Sequence, residues 1–304
     1  MIVDMPSTTV AKIGKRLQEL RESGGVVALG RVLTLVVETD FEHLEDAVAN
    51  ANGASRLHPS RIIVLAQAKD AGLESKLDAE IRVGGDAGAS EVIILRAQGQ
   101  VLTNKESLIT GLLLPDAPVV AWWPARSPAN PFATEIGGIA SRRITDAANE
   151  DDPVGFLREL AKNYRPGDGD MSWTRITLWR SQLTALYDQH KHRKAISATV
   201  FGSKSSPSAH LLASWLKLNL GLAVSVEDEH EGQIVQGISG VVIRFEDGEI
   251  SILRKNQVAY ISQPDAPRSS VLLPQRSDLD SLIEDMRFLG EDGGYAKVLL
   301  GDYR

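Results

Sequence analysis

The run Thr199-Val200-Phe201-Gly202-Ser203-Lys204-Ser205-Ser206-Pro207 passes from a predicted strand into a predicted helix. Such a turn points free backbone N–H groups at one spot, and the helix dipole favours negative charge there. Gly202, Ser203, Lys204, Ser205 and Ser206 would complete a phosphate cradle, as in a sugar-phosphate-binding enzyme or sensor. The same residues also read as an ordinary helix start. Ser206 is then the N-cap and Pro207 the first helical residue, and no ligand is needed.

A second group is aromatic and basic. Trp122-Trp123-Pro124 ends a predicted strand and enters a loop running to Pro131. Alternation along a strand sends one of these indoles to each face of the sheet. Trp173, Arg175, Trp179 and Arg180 share one helical stretch, with Arg193 and Lys194 just beyond it. Tryptophan and arginine dominate binding energy at protein interfaces, so these eight residues are the candidate partner-binding set. Core packing of an amphipathic helix and a strand end would use the indoles equally well.

Charge is segregated around them. Met171 to Lys217 holds seven basic residues and one acid, a net of +6. Glu227 to Glu249 holds seven acids and Arg244, a net of −6. This gives either a surface that steers a charged partner or two solvated faces that pair with each other.

The sequence has no coherent catalytic set. His190 and His192 flank Lys191 at a helix end, where solvated cations on the helix dipole are expected rather than metal ligands. His230 lies among Asp228, Glu229 and Glu231 without the spacing of a metal loop. No nucleophile elbow, phosphate-binding P-loop or zinc-protease motif occurs, and neither Gly24-Gly25 nor Gly84-Gly85 forms a dinucleotide fingerprint. The reading is therefore no metal and no cofactor. The sequence contains no cysteine, which excludes disulfides, thiolate sites and thiol switches within it. A net charge of −7 argues against a general nucleic-acid binder. Pro115, Asp116 and Pro118 break the apolar run from Leu112 to Trp123, so no membrane span is expected. Met1 to Thr9 carries Asp4 and Pro6 and no apolar run of signal-peptide length, and a cytoplasmic protein is expected.

The elements that must position these residues alternate in period. A helix carries Val10, Ile13, Leu17 and Leu20 after Ser7-Thr8-Thr9 and ends at Gly24-Gly25. A long strand follows over Val26 to Val37. Asp40 is placed as the cap of a helix with Leu44, Ala47, Val48 and Ala51. Short apolar runs at Ile62 to Ala66, Ile81 to Val83, Val92 to Leu95 and Val119 to Trp123 fit buried strands, and Asn104 opens a helix between the last two. Asp152-Pro153 starts another helix. Arg165 to Asp170 is read as a linker, and a single long helix follows from Ser172. Beyond it come a strand at Ala195 to Phe201, a helix at Ala209 to Leu220 stopped by Gly221, and a strand at Ala223 to Val226. Ile234 to Ser262 reads as an antiparallel meander with turns at Gly240 and Asp247-Gly248. Ser277 caps a last helix. The chain of 304 residues is thus read as α/β, two α/β halves with mixed sheets, divided into 1–167 and 168–304, the C-terminal half containing the meander.

Three segments also carry a family resemblance: RESGGVVALGRVLTLVV (Arg21 to Val37), LLLPDAPVVAWWP (Leu112 to Pro124) and MSWTRITLWRSQLTALYD (Met171 to Asp188). They closely resemble the OpcA family of glucose-6-phosphate dehydrogenase assembly proteins in its actinobacterial form, and the likeness runs through both halves in order. The resemblance implies a non-catalytic cytoplasmic protein that associates with glucose-6-phosphate dehydrogenase and promotes its active oligomer at the entry to the oxidative pentose phosphate pathway. Cyanobacterial members are linked to thioredoxin control through cysteines, which this sequence lacks.

Overall fold

The structure is a computed structural model that describes residues 1–23, 30–68, 74–83, 91–230, 233–234 and 237–304. Its elements run β1 (Ile2–Met5), α1 (Val10–Ser23), β2 (Leu33–Asp40), α2 (Leu44–Ser55), β3 (Ser60–Gln67), β4 (Lys76–Val83), β5 (Glu91–Gln98), α3 (Lys105–Thr110), β6 (Val119–Trp122), α4 (Glu135–Ile139), β7 (Arg142–Thr145), α5 (Pro153–Asn163), β8 (Asp168–Asp170), α6 (Met171–Thr174), α7 (Thr177–Gln189), β9 (Ser197–Gly202), α8 (Pro207–Leu220), β10 (Val224–Glu227), β11 (Glu229–His230), β12 (Gln233–Ile234), β13 (Ile238–Phe245), β14 (Gly248–Lys255), β15 (Val258–Ser262), β16 (Ser269–Leu272), α9 (Asp278–Asp285) and α10 (Gly293–Asp302). Contacts divide the chain into one unit of Met1–Asn149, Arg165–Gly169 and Asp278–Asp292, and a second of Glu150–Tyr164, Asp170–Ser277 and Gly293–Arg304. No described helix is long and apolar enough to cross a membrane.

The first unit is built on an eight-stranded sheet, ordered β1-β4-β5-β3-β2-β6-β7-β8. Strands β5, β3, β2, β6 and β7 are parallel, while β4 and β1 add antiparallel at one end. The parallel strands are continuous apolar runs because helices cover both faces. On one face Ile13 and Leu17 of α1, Ile109 of α3 and Ile136 of α4 pack on Val36, Ile63, Ile93 and Ala121. Each fully buried aliphatic side chain there contributes about 1.5–3 kcal/mol. On the other, α2 lies against β2 and β3, and α9 packs on α2. Leu279 packs closely over Gly53, where an added Cβ would meet its methyl at 2.8 Å and force that side chain to shift.

The amino ends of these strands are closed by charge. Glu91 is 1% exposed and accepts from Arg61 Nε at 2.7 Å and from Arg21 Nη2 at 2.8 Å. Arg61 also donates to Leu112 O at 2.6 Å.

The second unit holds a six-stranded sheet, ordered β10-β9-β13-β14-β15-β16. Only β10 and β9 are parallel; β13 to β16 form the meander. The mixed α/β class is therefore as expected.

Several local readings hold. Asn104 accepts from Ser107 N at 3.0 Å, Asp152 from Gly155 N at 3.0 Å, and Gly221 ends α8 at φ 68°. Others change. The described part of the first long strand begins at Leu33, and its expected start at Val26 lies outside the described residues, as do Gly24-Gly25 and Gly84-Gly85. Asp40 ends β2 rather than capping α2, although its carboxylate accepts from His43 N at 3.0 Å. Gly240 marks no turn. It sits inside β13 beside an irregularity in the pairing, where Leu253 would meet an added Cβ at 2.6 Å. Arg165 to Asp170 is not a loose linker. Its last four residues are buried, Asp168 pairs with Arg143, and Arg142 packs where a side chain on Gly169 would lie. The single helix from Ser172 is two, α6 and α7, broken at Arg175 and Ile176.

Arg142 and Asp285 form a buried pair at 2.5 Å that ties α9 to β7. Asp285→Ala leaves that guanidinium buried without its main counter-charge, which costs about 3–5 kcal/mol. Urea unfolding of the variant against the parent checks this loss.

Candidate functional site

The parallel sheet changes direction at β2. From β2 the chain moves outward through β3 towards β5, then returns to place β6 on the other side of β2. In open sheets of this kind, ligands sit beyond the carboxyl ends of the strands at such a switch point. The last β2–β6 pair is Val37↔Trp122, so Glu38 and Trp123 emerge side by side there.

Glu38 is 8% exposed, and three donors hold its carboxylate. Trp123 Nε1 donates to Oε2 at 2.9 Å, while Lys105 Nζ and Gln67 Nε2 donate to Oε1 at 2.5 and 3.2 Å. A cavity of about 410 Å3 opens beside this group, walled by Trp123, Arg126, Ser127, Pro128 and residues 133–136. Its loop is folded tightly. Ser127 Oγ accepts from Asp146 N at 3.1 Å, and Thr134 Oγ1 accepts from Gly137 N at 2.9 Å. A Cβ on Gly137 would lie 1.8 Å from Pro131 O, so this bend requires glycine.

A second cleft, about 530 Å3, lies in the other unit between α8 and the edge strand β10. Lys204, His210, Lys217, Val224, Val226 and Tyr303 line it. Its cations are engaged, Lys217 with Asp302 at 2.6 Å and Lys204 with Asp228 at 3.2 Å. Burial pushes the Tyr303 phenol up to about 12, so it stays neutral at ordinary pH.

The turn from Gly202 to Pro207 makes several hydrogen bonds of its own, and Ser203 N donates to Gly237 O at 3.1 Å. Ser206 Oγ accepts from Ala209 N at 3.2 Å as the N-cap, with Pro207 next. Ser203 Oγ bonds Ser205 Oγ at 2.8 Å and accepts from Ser205 N at 3.2 Å. His210 Nε2 bonds Lys204 O at 2.9 Å.

The indoles chosen as partner-binding residues are core residues. Trp122, Trp123, Trp173 and Trp179 are each at most 3% exposed and offer a partner no area. Trp122 and Trp123 do take opposite faces, Trp123 joining the cluster under α1. Trp173 packs on Tyr295 at 5.9 Å, and the Arg180 guanidinium lies 3.7 Å above its ring. Arg180 Nη2 also donates to Thr177 Oγ1 at 3.0 Å. Arg193 pairs with Asp247 and with Asp265, the latter at 2.6 Å. The basic and acidic stretches thus bond each other, through Arg193–Asp247 and Lys204–Asp228. Arg175 is half-buried, while Lys191, His192 and Lys194 are exposed at the end of α7. His190 is not solvated as expected. It is buried beside Phe245 and bonds Gln263 Oε1 at 3.1 Å. The side chain of His230 lies outside the described residues.

Sequence reasoning missed Glu38 with Lys105, whose positions are 67 residues apart. It also missed Asp40, Glu42 and His43, whose ligand atoms lie within 4.8 Å of one another on a largely exposed turn.

Family models match consecutive parts of the chain, the glucose-6-phosphate dehydrogenase subunit N-terminal domain at residues 51–162 and the corresponding C-terminal domain at residues 166–299. The chain belongs to the OpcA family of glucose-6-phosphate dehydrogenase subunits. An OxPP cycle protein OpcA of Synechocystis sp. is 25% identical over 185 residues, which is 57% of this chain and 38% of that protein. The chain therefore spans well under two thirds of this OpcA relative. Among solved structures, UDP-N-acetylglucosamine 3-dehydrogenase GnnA from Acidithiobacillus ferrooxidans is 9% identical at a TM-score of 0.40, over 88% of this chain and 95% of that one. An oxidoreductase from Thermotoga maritima is 10% identical at 0.36, over 88% and 94%. Neither likeness is close enough to carry chemistry to this chain.

As an N-cap, Ser206 has a defined worth. Ser206→Ala should lower stability by about 1 kcal/mol, read as a shifted urea midpoint with an unchanged slope.

Proposed function

We propose that the chain is a non-catalytic partner of glucose-6-phosphate dehydrogenase that binds the enzyme and favours its active oligomer in the oxidative pentose phosphate pathway. The observation that carries this reading is the match of both halves, in order, to the two domains of the glucose-6-phosphate dehydrogenase subunit family. A soluble α/β chain that acts in this way works in the cytoplasm with its enzyme. To activate, it must bind the competent state better than the incompetent one, because equal affinity shifts no equilibrium.

With the candidate indoles buried, the exposed cations near them are left as candidates for the contact. Lys191 and Lys194 are exposed at the end of α7, with Arg180 half-buried within α7 and Arg175 half-buried at the break before it. Exposed cations of this kind steer a partner and set its salt dependence more than they set the final affinity.

Adding saturating chain to the cognate dehydrogenase should raise its activity, while the chain alone turns over no glucose 6-phosphate. Unchanged kinetics at saturation would contradict the reading. Replacing Lys191 and Lys194 together by Glu should slow association and flatten its salt dependence, measured by stopped-flow at several ionic strengths. An unaltered rate would remove this helix end from the contact.

A further inference from the structure

We infer that the switch-point cleft of the first unit is a binding site for a small hydroxylated anion of the sugar-phosphate class. Its size falls within the range of about 300–1,000 Å3 typical of small-molecule sites, at about 410 Å3. It also lies where a doubly wound sheet leaves its crevice, between the carboxyl ends of β2 and β6.

The lining selects the ligand. Lys105 and Arg126 bring two positive charges to the cleft. Lys105 has given one N–H to Glu38 and keeps donors for an anionic oxygen. Charge-assisted bonds of that kind are roughly twice as strong as neutral ones. Glu38 supplies the complementary function. Its two oxygens accept three bonds from Trp123, Lys105 and Gln67, which fixes its orientation. An ionised carboxylate has about four acceptor positions, so one remains for a ligand hydroxyl. Glu135 stands on the rim with one oxygen already accepting from Glu106 N at 2.9 Å. The site thus sets two cations and two carboxylates around one cleft, with donors on Lys105 and an acceptor position on Glu38 side by side.

Other ligands fit poorly. The β2–α2 connection is Phe41-Glu42-His43. It lacks the glycines that let a pyrophosphate approach the backbone, and it carries an acid where phosphate would lie. This disfavours a dinucleotide. A divalent cation would have to displace Lys105 from Glu38.

The test uses the full chain without the dehydrogenase, so its outcome is separate from the partner reading. Thermal melting and calorimetric titration would compare glucose 6-phosphate with gluconate, inorganic phosphate and glucose. Glucose 6-phosphate should give a saturable rise in melting temperature by binding the folded state alone. Inorganic phosphate should give a weaker rise and glucose none, while gluconate shows whether a carboxylate replaces the phosphate. Arg126→Gln and Lys105→Gln should each weaken binding at least about tenfold, while Lys204→Ala, at the other cleft, should leave it unchanged. Arg126 is exposed, so its variant decides the matter even if Lys105→Gln fails to fold. No saturable response to any probe, an equal response to inorganic phosphate, or binding that survives Arg126→Gln would overturn the assignment.

Discussion

Strand β2 is bonded on both edges by parallel neighbours and covered on both faces. Parallel neighbours cannot be joined by a tight turn, so each connection must cross over the sheet. That single constraint arranges the first unit. Helix α2 crosses one face on the way to β3, and the chain later returns over the other to reach β6. The amino ends of the strands are plugged by Arg61 and Glu91. The carboxyl ends, where the two crossovers diverge, cannot be filled by either. Glu38 and Trp123 are brought together there by register alone.

The second unit follows a different rule. Antiparallel strands can be joined by tight turns, so β13 to β16 follow one another with short connections. Its two formal charge blocks face each other in space, and pairs such as Arg193–Asp247 and Lys204–Asp228 consume part of the +6 and −6 read from the sequence. The exposed Lys204–Asp228 pair is worth little by itself, but both pairs engage cations that would otherwise be available to a partner. Lys191 and Lys194, at the end of α7, remain exposed.

The legible features were those whose cause is local. Asn104, Asp152 and Ser206 were readable as caps because each bonds a residue three positions along. The opposite faces of Trp122 and Trp123 followed from strand alternation. Features with distant causes were not readable. Asp168 is buried because Arg143, 25 residues earlier, pairs with it, and nothing in a proline- and glycine-rich segment announces that. Gly240 looked like a turn, yet its partner is Leu253 on the next strand. The indoles looked like interface anchors because composition does not distinguish a buried tryptophan from an exposed one. The Glu38 cluster joins four residues from β2, β3, α3 and the end of β6, so no spacing rule reaches it. Strand order would have pointed to it, and strand order is not written in local periodicity.

If the chain acts on a dehydrogenase as proposed, the decisive property is a difference in affinity between states of that enzyme. Linkage makes this measurable without assaying turnover, since two coupled binding equilibria must change by the same factor. The direct measurement is the affinity of the chain for the cognate dehydrogenase across enzyme concentrations that span its own oligomer dissociation. Tighter binding to the oligomer, with an equal strengthening of the oligomer by the chain, is the predicted result. Equal affinity for the oligomer and the dissociated protomer would contradict the account.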